Sequence, residues 1–295
     1  MPTLPRTLYY SEPLTPAGRA DDWCIDAVSR PPEVLFNFSR AAVDMIVTDL
    51  REAAIEPRLD DTGFEKLAAP DGADQRAILA GSDAAVAGYQ RAAGALLRSR
   101  LGADEVLFFD ATLRQEGTGA PASSSVRSAH QRVHVDQSPA AARTRAASHG
   151  QGRRSRRFQI INIWRPLLEP VRNFPLAVCD YQSVTAATDL VVTELRFPAW
   201  LKDRENYSVR HNSRHRWYYW HSLTPDEAII FKCYDSASRD LAVASGQAGP
   251  AGPGGPGDLL DVAGLCPHTA FFDAQGPTIG HLRISIEMRA LVFYY

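Results

Sequence analysis

The sequence predicts a mainly β protein with flanking helices, arranged as an antiparallel sandwich or barrel. From residue 105 onward, short runs of β-branched and aromatic residues follow one another, and turn residues separate them. Most of these runs have no helical segment between them, whereas a parallel sheet needs a long crossover between its strands. The runs read EVLFFDATLRQ, RVHVDQS, RFQIINIWRPL, LAVCDYQSV, RWYYWHSL, EAIIFKCYD, TAFFD and RISIEMRALVFYY.

The first 104 residues differ in texture from the rest of the single domain that we expect residues 1–295 to form. Residues 1–104 are interpreted as a mixed helical and strand flank, and residues 105–295 as the core. In the flank, TLYY suits a strand, whereas the alanine and leucine of AAVDMIVTDLREAA and AAVAGYQRAAGALLRSRL favour helices.

Two segments interrupt the series of strands. Residues 139–157 contain six arginines and are predicted to form a solvated helix and loop. Residues 236–258 end in a glycine/proline tract that cannot pack as regular structure, and they are predicted to form a flexible insertion.

Charge and composition limit the classes of partner. The chain has 32 basic and 34 acidic residues, so it has no overall positive field for nucleic acid or an anionic membrane, and the arginine cluster lacks interleaved aromatics. No apolar run approaches the roughly 20 residues of a membrane span, and the first residues do not resemble a signal peptide. The four cysteines are far apart and form no CxxC pair, so the sequence predicts neither a zinc ribbon nor a dithiol redox site. We expect a cytoplasmic protein with a small-molecule partner, and a homodimer stays open.

The strand RVHVDQS carries a pair of side chains that suits a metal ion. Side chains alternate between the two faces of a strand, so His134 and Asp136 point the same way. Two histidines and one carboxylate form the set that holds Fe(II) with open coordination positions. A third ligand therefore has to come from a neighbouring strand.

His268 is the best-placed candidate for that third ligand. It opens HTAFF, directly before the last long strand, where an antiparallel neighbour can bring it across from His134. His211 and His215 have a zinc-like spacing on a helix, but the aromatic run from Trp217 favours a strand there. The candidates are His130, His149, His211, His215, His221, His268 and His281.

The last strand carries a second pair of interest. Arg283 and Ser285 in RISIE share one face by the same alternation. A guanidinium inside a barrel needs an anion, and an arginine with a hydroxyl beside it can anchor the carboxylate of a diacid. The pair carries weight because it follows His268 on the final strand.

Four blocks of the sequence together resemble a known family. They are HVDQSP, RFQIINIWRPLLEPVRNFPLAVCDYQSV, HRWYYWHSLTPDEAIIFKCYDS, and PHTAFFD with RISIEMRALVFYY. With them the chain resembles the family of the cephamycin 7α-methoxylase component and the novofumigatonin-type endoperoxide synthase, which includes fungal gibberellin-desaturase-like proteins. The resemblance runs from about residue 105 to residue 295 and is weaker before it.

That resemblance implies a double-stranded β-helix core, which is a jelly-roll of the cupin-like kind. It implies a dioxygenase that uses Fe(II), 2-oxoglutarate and O2 to hydroxylate, desaturate, cyclise or peroxidise a small specialised metabolite. It places the iron on His134, Asp136 and His268, and the distal carboxylate of 2-oxoglutarate on Arg283 and Ser285. The glycine/proline stretch before CPHTAF is longer than the resemblance leads us to expect.

Further side chains receive roles around this centre. Asn162 is predicted to donate to the C1 carboxylate of 2-oxoglutarate or to orient a metal ligand. Four aromatic residues are predicted to line a substrate pocket, although core packing is the commoner role of such residues. They are Trp164, Tyr181, Trp217 and Tyr219.

Three alternatives to the oxygenase remain at this point. The first is a barrel that binds or scaffolds without turnover, and the filled set of ligands argues against it. The second is a zinc hydrolase on the same ligands, which would need no anchor for a diacid. The third is an iron oxidase that takes its electrons from the substrate.

Overall fold

The computed structural model describes nine stretches of the chain. They are residues 5–14, 23–31, 34–72, 74–116, 126–150, 155–197, 205–246, 259–276 and 283–295.

Strands dominate these residues, which confirms the mainly β class. The flank contributes β1 (Pro5–Pro13), β2 (Trp23–Asp26), β3 (Phe38–Asp49) and β4 (Phe64–Ala68). The remainder are β5 (Glu105–Glu116), β6 (Val126–Arg127), β7 (His134–Val135), β8 (Arg157–Pro166), β9 (Leu176–Cys179), β10 (Leu190–Arg196), β11 (Glu205–Val209), β12 (Trp217–Tyr219), β13 (Glu227–Asp235), β14 (His268–Ala270) and β15 (Arg283–Tyr294).

The strands form two sheets. One has six strands in the order β4-β13-β8-β15-β5-β6, and the other has nine in the order β1-β3-β12-β9-β14-β7-β11-β10-β2. Most pairs are antiparallel, as the sequence predicts, and the parallel pairs are β2 with β10, β3 with β12 and β5 with β6. The flank supplies strands to both sheets, and the boundary at residue 105 stays a prediction.

The segment AAVDMIVTDLREAA is not a helix, and the prediction for it was wrong. Its residues up to Asp49 belong to β3, which pairs antiparallel with β1 and parallel with β12. Val43, Met45 and Val47 face inward, while Asp44 and Ile46 are exposed, so the segment has the alternation of a strand. Pairing on both sides outweighs the helix propensity of its alanines.

The long helix of the flank is present as predicted. It begins after Ser82, whose hydroxyl accepts the N–H of Ala85, and it ends at Gly102, which has a φ of 62°. Its buried side chains pack on the outer face of the six-stranded sheet. The helices are α1 (Leu59–Thr62), α2 (Gln75–Leu79), α3 (Asp83–Leu101), α4 (Pro139–His149), α5 (Ala186–Asp189) and α6 (Arg239–Ala244), and a 3₁₀ turn spans Tyr181–Ser183.

The two interrupting segments are partly described. The arginine cluster begins as α4, which follows the N-cap residue Ser138, and the predicted helix is confirmed there. The insertion predicted at residues 236–258 begins with α6, while its glycine/proline tract at residues 247–258 lies outside the described residues. None of the described helices combines the length and the apolar composition that crossing a membrane requires.

Candidate metal centre

Three side chains meet where β7 lies beside β14. His268 pairs directly with His134 across the two strands, as the sequence predicts, and Asp136 follows on the same face of β7. One ligand atom from each of the three lies within 4.8 Å of the others. Asp136 Oδ1 is 3.3 Å from His134 Nε2 and 4.0 Å from His268 Nε2. In the described part of the chain, no other group of three such residues converges in this way.

Both imidazoles present the same nitrogen to this point. His134 Nδ1 lies 2.8 Å from the carbonyl oxygen of Arg132, and His268 Nδ1 lies 3.1 Å from that of Cys266. A carbonyl oxygen only accepts, so each Nδ1 carries the proton and each Nε2 keeps a free lone pair. Burial, followed by the nearby His268, lowers the pKa of His134 to about 4 and keeps the ring neutral.

Asp136 is held by one oxygen and free at the other. Its Oδ2 accepts from Asn162 Nδ2 and from Arg289 Nε, each at 2.8 Å, while Cys233 Sγ lies 3.8 Å away. Burial by itself would raise the pKa of Asp136, but the charge of Arg289 holds it well below its usual range. Oδ1 is therefore a charged, oriented oxygen facing the two histidines.

Strand β15 carries a row of polar side chains toward the centre. Alternation places Arg283, Ser285, Glu287 and Arg289 on one face of the strand, and all four are buried. Arg289 also pairs with Asp110 and, at 2.6 Å, with Glu287 Oε1. Glu287 and Arg289 are not among the predicted site residues, although the period of two that indicates Arg283 and Ser285 extends to both.

Arg283 has no acidic partner in the described part of the chain. Its side chain is 2% exposed, and its Nη1 donates to the carbonyl oxygen of Phe174 at 2.9 Å. Its Nε is 3.4 Å from Ser285 Oγ, and its guanidinium lies 5.2 Å from the ring centre of Trp164. Among the described residues, no carboxylate lies within 4.0 Å of it. Burial, and then the charge of Arg114, lowers the pKa of Arg283 to about 9.

A small cavity connects Arg283 with the two histidines. His130, one of the histidines considered for the third ligand, also faces it, with its ring centre 4.2 Å from that of His134. His130 has no motif around it that indicates this position. The cavity is lined by Arg114, His130, His134, Leu176, His268, Thr269, Ala270, Arg283 and Glu287.

None of the four predicted aromatic residues is among those that line this cavity. Trp217 pairs with Cys179, whereas His268 pairs with the adjacent Val178, so Trp217 and Tyr219 lie on the opposite face of the sheet from His268. Tyr181 donates its hydroxyl to Asp240 at 2.9 Å. Their role in a substrate pocket stays a prediction, while Trp164 stacks on Arg283.

The histidine pair with zinc-like spacing has other partners. His215 Nε2 lies 3.1 Å from Asp189, and its Nδ1 lies 3.1 Å from the hydroxyl of Tyr10, against which His211 packs. These contacts use both ring nitrogens of His215 within the core. His281 lies outside the described residues.

Comparison with protein families and curated proteins places the chain among oxidoreductases. A family model described as "YDMC: Oxidoreductase/YMDC permease-like domain" matches residues 9–251. Aspirochlorine biosynthesis protein N of Aspergillus oryzae is 34% identical over 162 residues, which are 54% of this chain and 59% of that protein. Hydroxylase/desaturase efuI of Hormonema carpetanum is 34% identical over 195 residues, 60% of this chain and 53% of that protein.

A third relative is also known as a solved structure. Fe(II)/2-oxoglutarate-dependent dioxygenase nvfI of Aspergillus novofumigatus is 33% identical over 170 residues, 54% of this chain and 58% of that protein. The chain thus spans little more than half the length of these three curated relatives. The iron and alpha-ketoglutarate-dependent endoperoxidase NvfI has a structure that matches with a TM-score of 0.80 at 25% identity, covering 98% of this chain and 96% of that one. The jelly-roll fold is confirmed.

Proposed function

We propose that this chain is an Fe(II)- and 2-oxoglutarate-dependent oxygenase. It belongs to the oxidoreductase family whose model matches residues 9–251, and its relatives include such oxygenases. Its substrate would be a small specialised metabolite, which it would hydroxylate, desaturate, cyclise or peroxidise. The relatives include a hydroxylase/desaturase and an endoperoxidase, so oxidation of such a molecule is the shared reaction class.

The donor set fits Fe(II). Two imidazole nitrogens with free lone pairs and one carboxylate oxygen are the ligands that hold this ion with positions left open. His134, Asp136 and His268 would hold it. When bound together with 2-oxoglutarate and O2, iron supplies the oxidising power to remove hydrogen from an unactivated C–H bond.

The surrounding side chains orient these ligands. Asn162 and Arg289 occupy Asp136 Oδ2, so only Oδ1 is available to a metal. This supports the second of the two roles predicted for Asn162, the orientation of a metal ligand. Backbone carbonyls fix the tautomer of both histidines in the same way.

Arg283 and Ser285 would bind the distal carboxylate of 2-oxoglutarate. The guanidinium is planar, buried and without an acidic partner in the described part of the chain, so a carboxylate would meet little competing water. Trp164 packs against the guanidinium and limits its rotation. Arg283 and the two histidines line the same small cavity, and this shared lining is the single observation that carries the proposal.

Anaerobic titration of the metal-free protein with Fe(II) and then 2-oxoglutarate tests it. We expect the weak visible charge-transfer band of a chelated 2-oxo acid, and we expect Asp136→Ala to lose both the band and tight iron binding while keeping its fold. Asp44→Ala, at an exposed position on β3, is the matched control. Absence of the band in the unaltered protein, with tight zinc binding instead, would favour a hydrolase and contradict the proposal.

The proposal extends to location and association. Cys24, Cys179, Cys233 and Cys266 are all unpaired and buried, which is typical of a reducing compartment and supports a cytoplasmic location. We further propose a small-molecule substrate without nucleic-acid or membrane partners. A homodimer is part of the same proposal, and light scattering during gel filtration tests it.

A further inference from the structure

The sheet that carries the metal ligands continues beyond them. On the side away from β14, β7 pairs with β11, and Ser208 lies opposite His134. Asn206 lies two residues before Ser208 on β11, so it shares that face, and it pairs with Thr193 of β10. Cross-strand partners share a face, so these three polar side chains lie on the same face of the sheet as the candidate ligands. All three are buried.

Arg132 lies against this row of polar side chains. It precedes His134 by two residues, it is 4% exposed, and its Nη1 donates to Ser208 Oγ at 2.7 Å. The hydroxyl oxygens of Ser208 and Thr193 are also 2.7 Å apart. These hydroxyls orient the guanidinium, but they bring no negative charge to it.

The described stretches provide no direct counter-charge for Arg132. Among the described residues, no carboxylate oxygen lies within 4.0 Å of it. Asp136 acts on it from a longer distance and already accepts from Arg289, while Arg40 adds a like charge. Iron bound at the adjacent centre would add further positive charge. A buried, unpaired guanidinium is costly, so an arginine kept here needs an anionic ligand.

Two more features of this place suit a ligand. Arg132 Nε and Asn206 Oδ1 are buried without a hydrogen-bond partner in the described parts of the chain. Phe38 lies under the guanidinium at 5.7 Å and stacks on Trp23, which pairs with Thr193. The surroundings of Arg132 thus combine one cation, polar atoms without hydrogen-bond partners among the described residues, and two aromatic rings. They lie beside the candidate metal ligands and are separate from Arg283.

We infer that Arg132, with Ser208 and Asn206, binds a carboxylate group of the substrate, and that the substrate is therefore an acid with an apolar or aromatic body. This inference rests on the proposed function, because it assumes that the protein binds a molecule that it oxidises. Arg132 would form two N–H bonds to the carboxylate, and the aromatic pair would contact the body of the molecule.

The first experiment needs no ligand. Arg132→Met removes the charge, keeps a flexible apolar stem over Phe38, and leaves the Ser208 hydroxyl its contact with Thr193. We expect the metal-free variant to unfold at the same or a higher urea concentration, because an uncompensated buried charge has been removed. Arg98→Met, at an exposed position on α3, is the matched control. A clear drop in the midpoint for Arg132→Met alone would mean that Arg132 serves the fold, and would overturn the inference.

The second experiment compares benzoate with its neutral analogue benzamide, under anaerobic conditions and with saturating Fe(II) and 2-oxoglutarate. Calorimetric titration should show benzoate binding at least about tenfold more tightly to the unaltered protein, as expected of a hydrogen-bonded charge. Arg132→Met should lose this preference. Equal affinities in the unaltered protein, or a preference that persists in the variant, would overturn the inference.

The carboxylate of the cosubstrate is the other possible source of the anion, and the same variants separate the two. If Arg132→Met weakens 2-oxoglutarate binding or shifts its charge-transfer band, Arg132 binds the cosubstrate and the substrate assignment falls. Absence of the band in the unaltered protein would instead overturn the proposed function. Arg132→Lys, which retains the charge without the planar fork, should also lower the preference for benzoate while the 2-oxoglutarate band is kept.

Discussion

Lys232 and Arg283 are two cations buried in the same six-stranded sheet, and their surroundings differ. Lys232 is fully buried, and its Nζ lies 2.6 Å from Asp60 Oδ1, 2.7 Å from Asp235 Oδ2 and 2.8 Å from the carbonyl oxygen of Ala263. Arg283 donates to a carbonyl and approaches a hydroxyl. The protein neutralises the first charge itself, whereas the second has no acidic partner among the described residues, as expected of the ligand-binding role that we propose for Arg283.

Removal of Lys232 should have the largest effect on stability. Lys232→Met leaves Asp235 buried beside Asp60 with one cation fewer, although Arg157 still contacts both. We expect a loss of about 3 to 5 kcal/mol in the free energy of unfolding, measured by urea denaturation. Lys66→Met is the matched control, since Lys66 pairs with Glu227 near the surface and should cost at most about 1 kcal/mol. If Lys232→Met also cost at most about 1 kcal/mol, the proposed difference between Lys232 and Arg283 would be contradicted.

Lowering the pH should change the stability contributed by the candidate metal centre before it changes that contributed by the Lys232 cluster. His134 has a pKa of about 4 in the folded protein against an ordinary value of 6.5, so between these pH values the unfolded chain binds more protons. The free energy of unfolding therefore falls as the pH is lowered through this window, by about 3 kcal/mol in the metal-free protein. Urea denaturation at pH 7 and pH 4.5 measures it, and His134→Gln should flatten the slope.

The Lys232 cluster should not respond in that window. Burial would raise the pKa of Asp235, but Lys232 and Arg157 lower it to about 2, so its stabilising contribution is present above its ordinary value of 3.8 and is lost only as the pH falls toward 2. A stability curve that stays flat between pH 7 and pH 4.5 would show that His134 is not buried as a neutral ring.

Removal of Arg283 should affect the cosubstrate more than the fold. Arg283→Met deletes a charge that has no acidic partner among the described residues, so stability should hold or rise. The affinity for 2-oxoglutarate, read from the charge-transfer band, should fall by about tenfold to a hundredfold. Arg76→Met, at an exposed position on α2, should leave it unchanged. If Arg283→Met destabilised the protein as much as Lys232→Met, the distinction between the two cations would be wrong.

The smallest effect is expected at Asn162. Asn162→Leu keeps the volume but removes the donor to Asp136 Oδ2, while Arg289 still holds that oxygen. Affinity for Fe(II) should fall by about tenfold, the lower end of the range for such supporting residues. Competition with a chelating dye measures it. Unchanged metal affinity together with weaker 2-oxoglutarate binding would favour the other predicted role, a donor to the C1 carboxylate.

Alternation along strands made much of this centre predictable. His134 with Asp136, and Arg283 with Ser285, were identified because residues two apart share a face, and His268 because an antiparallel neighbour had to lie across from His134. Glu287 and Arg289 extend the same pattern. They were passed over because charged residues on a strand normally face solvent, and only the folded chain shows that Asp110 and Asp136 meet Arg289.

Other features depend on partners that are distant in the sequence. The segment after Ala41 has the composition of a helix, and β1 and β12 turn it into a strand. The aromatic strand at Trp217 was identified, but which of its faces meets the metal ligands depends on its pairing with Cys179. Arg132 belongs to no motif in the sequence. Only the folded chain shows that its guanidinium contacts the Ser208 hydroxyl and no carboxylate among the described residues.

The position of β15 has a consequence for how the protein is made. This strand comes last among the described elements, yet it lies between β8 and β5 inside its sheet. It brings Arg289 to the carboxylate of Asp136, a residue that is synthesised more than a hundred residues earlier. Such long-range strand pairing is slow, because chain entropy must be given up before the contacts form. A nascent chain would thus expose His134 and Asp136 without the means to retain a metal, so iron loading would follow completion of the fold.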